Sequence, residues 1–106
     1  MKVTFIRSDD TSISIDAEPG DSLMSAATGN LIGGILGECG GGMSCATCHV
    51  FVERGWEEAV GRPSLDEAEL LETTAEPASK QSRLSCQIHL EDRLDGLTVR
   101  LPDRQQ

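Results

Sequence analysis

A chain of 106 residues is one domain by size, and with Phe5, Phe51 and Trp56 as its only aromatic side chains its core has little spare stability. Its 18 acidic and 9 basic residues leave a formal charge of −9, which argues against nucleic acid and anionic membrane surfaces, both of which need clustered Lys and Arg. No apolar run reaches the roughly 20 residues needed to span a bilayer, so a cytoplasmic protein is expected, in a compartment where cysteines stay reduced.

The first residues, Met1-Lys2-Val3-Thr4-Phe5-Ile6, read directly as a strand rather than as a targeting segment. A strand over residues 3–7, a turn at Ser8-Asp9-Asp10-Thr11 and period-two alternation over Ser12–Asp16 predict a hairpin. Pro19-Gly20 ends it, and Asp21 or Ser22 can cap a short helix over Leu23-Met24-Ser25-Ala26-Ala27 that Gly29-Asn30 would stop. Gly33, Gly34, Gly37, Gly40, Gly41 and Gly42 then exclude regular structure from residues 33–43. Such a loop wraps something or approaches it closely.

A strand over residues 49–53 leaves the loop. After Pro63, Ser64-Leu65-Asp66-Glu67 fits a capping box in which Glu67 reaches back to the cap. The helix should run to about Thr73, with Ala68 and Leu71 towards the core. Residues 83–88 and 97–101 read as late strands joined through an Asp95-Gly96 turn. The irregular order of strands and helices predicts an α+β domain over residues 1–106, a mixed sheet with packed helices.

Chemistry concentrates in Cys39-x5-Cys45-x2-Cys48 with Cys86 far downstream. Three ligands on one loop and a distant fourth suit an object wider than one ion. A structural zinc site shows two compact knuckles, and Cys86 has no nearby partner, so zinc is the weaker reading. A thioredoxin-like Cys-x-x-Cys belongs at a helix start, whereas this one precedes a strand. Gly40, Gly41 and Gly42 leave backbone N–H groups open to the sulfurs, Met43 and Ser44 cover the centre, and four thiolates satisfy a two-iron cluster. An oxidised two-iron centre with four thiolates is already a dianion, so an acidic protein should resist the added electron and hold it at a negative potential. A Rieske centre needs two histidines beside two cysteines, so His49 is expected to hydrogen-bond structurally.

Between residues 53 and 76 the acids Glu53, Glu57, Glu58, Asp66, Glu67, Glu69, Glu72 and Glu76 face only Arg54 and Arg62. At about 100° per residue, Asp66, Glu69, Glu72 and Glu76 share a helix face roughly 120° wide. Helix-dipole and capping effects explain Asp66 and Glu67. The others have no i,i+4 cation, and like charges there are destabilising, so a basic partner protein is the better explanation.

Glu38-Cys39-Gly40-Gly41-Gly42-Met43-Ser44-Cys45-Ala46-Thr47-Cys48-His49-Val50 resembles the cluster loop of adrenodoxin/putidaredoxin-type [2Fe–2S] ferredoxins. Ser82-Arg83-Leu84-Ser85-Cys86-Gln87-Ile88 resembles their fourth-ligand segment, and the tail through Leu94-Asp95-Gly96 and Pro102-Asp103-Arg104 is similar too. The resemblance implies a β-grasp fold, a [2Fe–2S] cluster on Cys39, Cys45, Cys48 and Cys86, and a monomeric bacterial electron shuttle rather than an enzyme. Its implied partners are an NAD(P)H-dependent flavoprotein ferredoxin reductase and a cytochrome P-450 monooxygenase. A sister branch serves iron–sulfur cluster assembly. Family docking positions carry over to Asp66, Glu67, Glu69 and Glu72, with Glu38 beside the loop as a further candidate.

Overall fold

The structure is a computed structural model that describes residues 1–7, 9–30, 48–74 and 78–102. Its centre is one five-stranded sheet, built from β1 (Lys2–Ile6), β2 (Ser12–Asp16), β3 (His49–Val52), β4 (Ser82–Leu84) and β5 (Thr98–Arg100) in the order β2-β1-β5-β3-β4. The β1–β5 pair is parallel and the other pairs are antiparallel, so the expected mixed sheet is present. The hairpin forms as expected, with Phe5 opposite Ile13, although its first strand begins and ends one residue earlier than the sequence pattern suggests. Alternation explains it: Val3 and Phe5 point into the core while Lys2 is exposed.

Helix α1 (Leu23–Gly29) is capped by Ser22, whose side chain accepts from the Ser25 N–H, and it buries Leu23, Met24, Ala26 and Ala27. Asn30 closes its end, donating from Nδ2 to the Ala26 carbonyl at 2.8 Å. Helix α2 (Glu57–Val60) was not expected from the sequence; it is a single turn with Glu57 and Glu58 exposed. Helix α3 (Leu65–Leu71) starts at the expected cap.

The core joins Val3, Phe5, Leu23, Val50, Val52, Leu84, Leu94, Leu97 and Val99, all but fully buried, beneath α1 and the loops that return to β5. Aliphatic side chains do nearly all of this packing, as the low aromatic content requires. Trp56 packs half-buried against the core, and its ring lies 3.5 Å from where a Cβ on Gly96 would stand.

The Asp95-Gly96 turn is where expected, and its glycine is required by backbone conformation: Gly96 has φ +95° and donates to the Lys2 carbonyl at 2.7 Å. The contact to Trp56 is an ordinary van der Waals distance, so strain arises from the left-handed backbone alone. Gly96→Ala should therefore destabilise the protein by about 1–2 kcal/mol in denaturant unfolding. Loss of less than a few tenths would mean the turn relaxes freely.

The last predicted strand before that turn is shorter than its apolar pattern suggested. Residues 83–88 do not all pair: β4 stops at Leu84, and Ser85–Gln87 tighten into a 3₁₀ turn. A continuous strand would carry Cys86 away along the sheet edge, whereas the turn folds it back over the end of β3. A second 3₁₀ turn, Asp92–Leu94, leads into the Asp95-Gly96 bend.

Candidate metal centre and docking helix

Cys48 precedes β3 and Cys86 follows β4. Because these strands run antiparallel with His49 opposite Leu84, the two cysteines arrive at the same end of the sheet. The Ser85 N–H donates to the Cys48 carbonyl at 2.9 Å and locks the junction. Pairing thus closes the long sequence gap that isolated Cys86. Behind the turn, α1 is held by its Leu23 N–H, which donates to the Ile88 carbonyl at 2.8 Å.

Both thiols are buried. The Cys48 thiol is pushed far above the ordinary cysteine range, first by its hydrogen bond with the Cys86 thiol and then by burial. The Cys86 backbone N–H acts in the opposite direction and favours a Cys48 thiolate. Gln87 Nε2 donates to Cys86 Sγ at 3.4 Å. Two crowded sulfurs beside N–H donors are a poor site for two bare thiolates but a good one for thiolates neutralised by iron. The donor set therefore fits a thiolate-ligated cluster. Cys39, Cys45, Glu38, Gly40, Gly41, Gly42, Met43 and Ser44 lie outside the described residues.

His49 is fully buried, and its Nε2 shares a 2.8 Å hydrogen bond with Ser82 Oγ; that oxygen accepts from the Ser79 N–H at 2.8 Å. Its ring tilts against Phe51 at a centroid distance of 4.6 Å. A structural hydrogen-bonding role is what the sequence suggested for it.

Two expectations for α3 need correction. Ser64 Oγ accepts from the Glu67 N–H at 3.2 Å, which is half of a capping box, but the Glu67 carboxylate does not return to the cap. It is only 1% exposed and turns inward to Arg83, with Oε2 2.6 Å from Nε and Oε1 3.0 Å from Nη2. It also accepts the Leu84 N–H at 2.9 Å. A buried guanidinium attracts the carboxylate more strongly than one exposed backbone N–H can. Glu67 is therefore a brace beneath the helix and is withdrawn from the docking surface. Ala68, expected in the core, is exposed, whereas Leu71 is buried as expected.

Sequence reasoning passed over Arg83. It donates from Nη1 to the Val60 and Gly61 carbonyls at 3.1 and 3.0 Å, and from Nη2 to Gln87 O at 3.4 Å. One guanidinium thus ties α2, α3 and the turn carrying Cys86 together. The signal was available: an arginine inside the buried segment Ser82-Arg83-Leu84-Ser85 demands a counter-charge.

On the surface, Asp66, Glu69 and Glu72 are exposed and form no ion pair among the described residues. Glu53, counted with them in the sequence, is instead 3.5 Å from Arg100, which also bonds Asp10 at 2.8 Å. Glu76 lies outside the described residues. No described helix is long and apolar enough to cross a membrane.

The family model for the 2Fe-2S iron-sulfur cluster binding domain matches residues 6–91. The chain belongs to the [2Fe–2S] ferredoxins of the adrenodoxin/putidaredoxin type. Terpredoxin from a Pseudomonas species is 45% identical over 101 residues, 95% of either chain. The crystal structure of a ferredoxin from Rhodopseudomonas palustris HaA2 superposes with a TM-score of 0.97 at 44% identity, covering 100% of both chains. Putidaredoxin in a covalent complex with putidaredoxin reductase superposes at 0.94 and 42% identity, over 98% of this chain and 100% of that one. The cofactor of this ferredoxin is a [2Fe–2S] cluster, and the protein is an electron carrier rather than an enzyme.

Proposed function

We propose that this ferredoxin takes electrons from an NAD(P)H-dependent flavoprotein reductase and delivers them to a cytochrome P-450 monooxygenase, as a single-domain monomer over residues 1–106 in a bacterial cytoplasm. Cys39, Cys45, Cys48 and Cys86 hold the cluster, with Gly40, Gly41, Gly42, Met43 and Ser44 enclosing it. When bound, the cluster accepts and releases one electron at a time. Asp66, Glu69 and Glu72, together with Glu38, receive the partners.

The observation that carries this reading is the uncompensated acidic face of α3, braced onto the same turn that presents Cys86. It occurs on a chain that matches, end to end, a relative solved in complex with its reductase. A shuttle must leave each partner, so its interface should be small and transient, with charge setting the encounter rate.

Two experiments test the reading. Reduced protein offered to a cytochrome P-450 and to an assembly scaffold should transfer electrons faster to the former; faster transfer to the scaffold would place the protein in the assembly branch. The variant Glu69→Gln/Glu72→Gln should raise the apparent KM for the reductase about threefold to tenfold at low salt while leaving the visible spectrum unchanged. Its dependence on ionic strength should also flatten. Wild-type salt dependence in that variant would remove α3 from the interface.

A further inference from the structure

We propose that Leu65 is the apolar anchor of the α3 docking face, and that its occupant is a nonpolar depression ringed by basic side chains on the flavoprotein reductase. This inference rests on the reductase reading above and adds the residue that holds the complex once charge has brought it together.

Leu65 is 86% exposed, the one large hydrophobic side chain so exposed among the described residues. A lone surface leucine is ordinary and calls for no explanation. The position of this one is what matters. At about 100° per residue, Leu65, Ala68, Glu69 and Glu72 fall within roughly 100° of one another, on the side opposite Glu67 and Leu71. Those two are the buried residues of the helix, while Ala68, Glu69 and Glu72 are all exposed. Two apolar and two acidic side chains therefore share the outward face, and Asp66 stands at its margin.

Folding does not require a leucine there. Ser64 supplies the cap through the Glu67 N–H, and Glu67 with Leu71 attaches the helix to the body of the protein. On the flank of that face towards Asp66, the residues Asp66, Glu69, Leu70 and Thr73 line a shallow depression of about 270 Å³. The face thus offers a protruding leucine bordered by carboxylates, with a dent on its Asp66 flank.

Charge complementarity selects the occupant. The face carries carboxylates with no ion-pair partner among the described residues, on a chain with a formal charge of −9. A second copy would bring the same acids and be repelled. A basic protein surface relieves their mutual repulsion, and once water is expelled it can take the leucine into an apolar hollow. The two contributions act at different stages. Carboxylates act at long range and set the association rate, whereas a leucine contact exists only in the docked complex and sets the dissociation rate.

The test compares holoprotein carrying Leu65→Ala with wild type and with Glu69→Gln/Glu72→Gln, each titrated with the reductase in stopped-flow reduction at several ionic strengths. Leu65→Ala is expected to raise the dissociation rate about fivefold to tenfold with the association rate and salt slope unchanged. Its visible spectrum and melting temperature should match wild type, because the side chain is outside the core. An unchanged dissociation rate, or an effect that vanishes at high salt, overturns the anchor while leaving the reductase reading intact. Wild-type protein that the reductase does not reduce in a salt-dependent manner overturns the parent reading and the anchor with it. Sedimentation that shows a wild-type dimer lost in Leu65→Ala makes the occupant a second copy and also overturns the proposal.

Discussion

Replacing Glu67 by alanine is expected to destabilise the ferredoxin by roughly 3–5 kcal/mol, because the guanidinium of Arg83 would remain buried without its counter-charge. Small domains are stable by only about 5–15 kcal/mol, so this one contact accounts for a large share of the total. For a chain of this size, each kcal/mol corresponds to about 4–8 °C, so the melting temperature should fall by at least about 12 °C. Loss of visible absorbance on heating would report it. The carboxylate also accepts the Leu84 N–H at 2.9 Å, so the variant leaves a second buried donor unsatisfied. The double variant Glu67→Leu/Arg83→Met should recover much of the loss, since a buried ion pair of this kind can often be replaced by well-packed apolar side chains. A drop of under 1 kcal/mol for Glu67→Ala would show that water reaches the pair.

This brace also explains why α3 suits docking. A seven-residue helix has little intrinsic stability and would fray if only its surface acids remained. Glu67 and Leu71 hold one side rigidly, and the outward residues can then meet a partner without a large ordering penalty. Through Arg83 the same contact reaches the Gln87 carbonyl, immediately after Cys86. Helix α3 and the turn that carries Cys86 are therefore parts of one hydrogen-bonded unit.

Loss of Cys48 or Cys86 should have the largest effect on the cofactor. Cys48→Ala and Cys86→Ala are each expected to yield essentially colourless protein, with iron and acid-labile sulfide reduced towards zero. Structurally bound metal contributes folding energy directly, so both should also melt earlier than wild type. The Glu67→Ala variant is the control: kept well below its melting temperature, it should retain full colour, separating ligand loss from general destabilisation. A Cys86→Ala protein with a complete cluster would move the fourth ligand elsewhere. A colourless wild type holding one zinc ion would revive the structural zinc reading.

The cofactor was legible in the chain because ligand chemistry is local. Three cysteines at short spacing among glycines specify a thiolate centre wherever the loop sits. The hairpin and the Ser22 and Ser64 caps were equally legible, since period-two alternation and side-chain capping depend on neighbours in sequence. What depends on distant neighbours was not. Period alone made residues 83–88 one strand, whereas the need to bring Cys86 back beside Cys48 ends β4 at Leu84. The capping-box pattern and the family resemblance kept Glu67 at the surface, and helical spacing placed Ala68 in the core; only the position of Arg83 across the fold turns Glu67 inward. The sequence by itself determined the metal chemistry and most local elements. The tertiary structure decided which charges are buried and which remain free for a partner, because burial and pairing are set by whichever segments the sheet brings together.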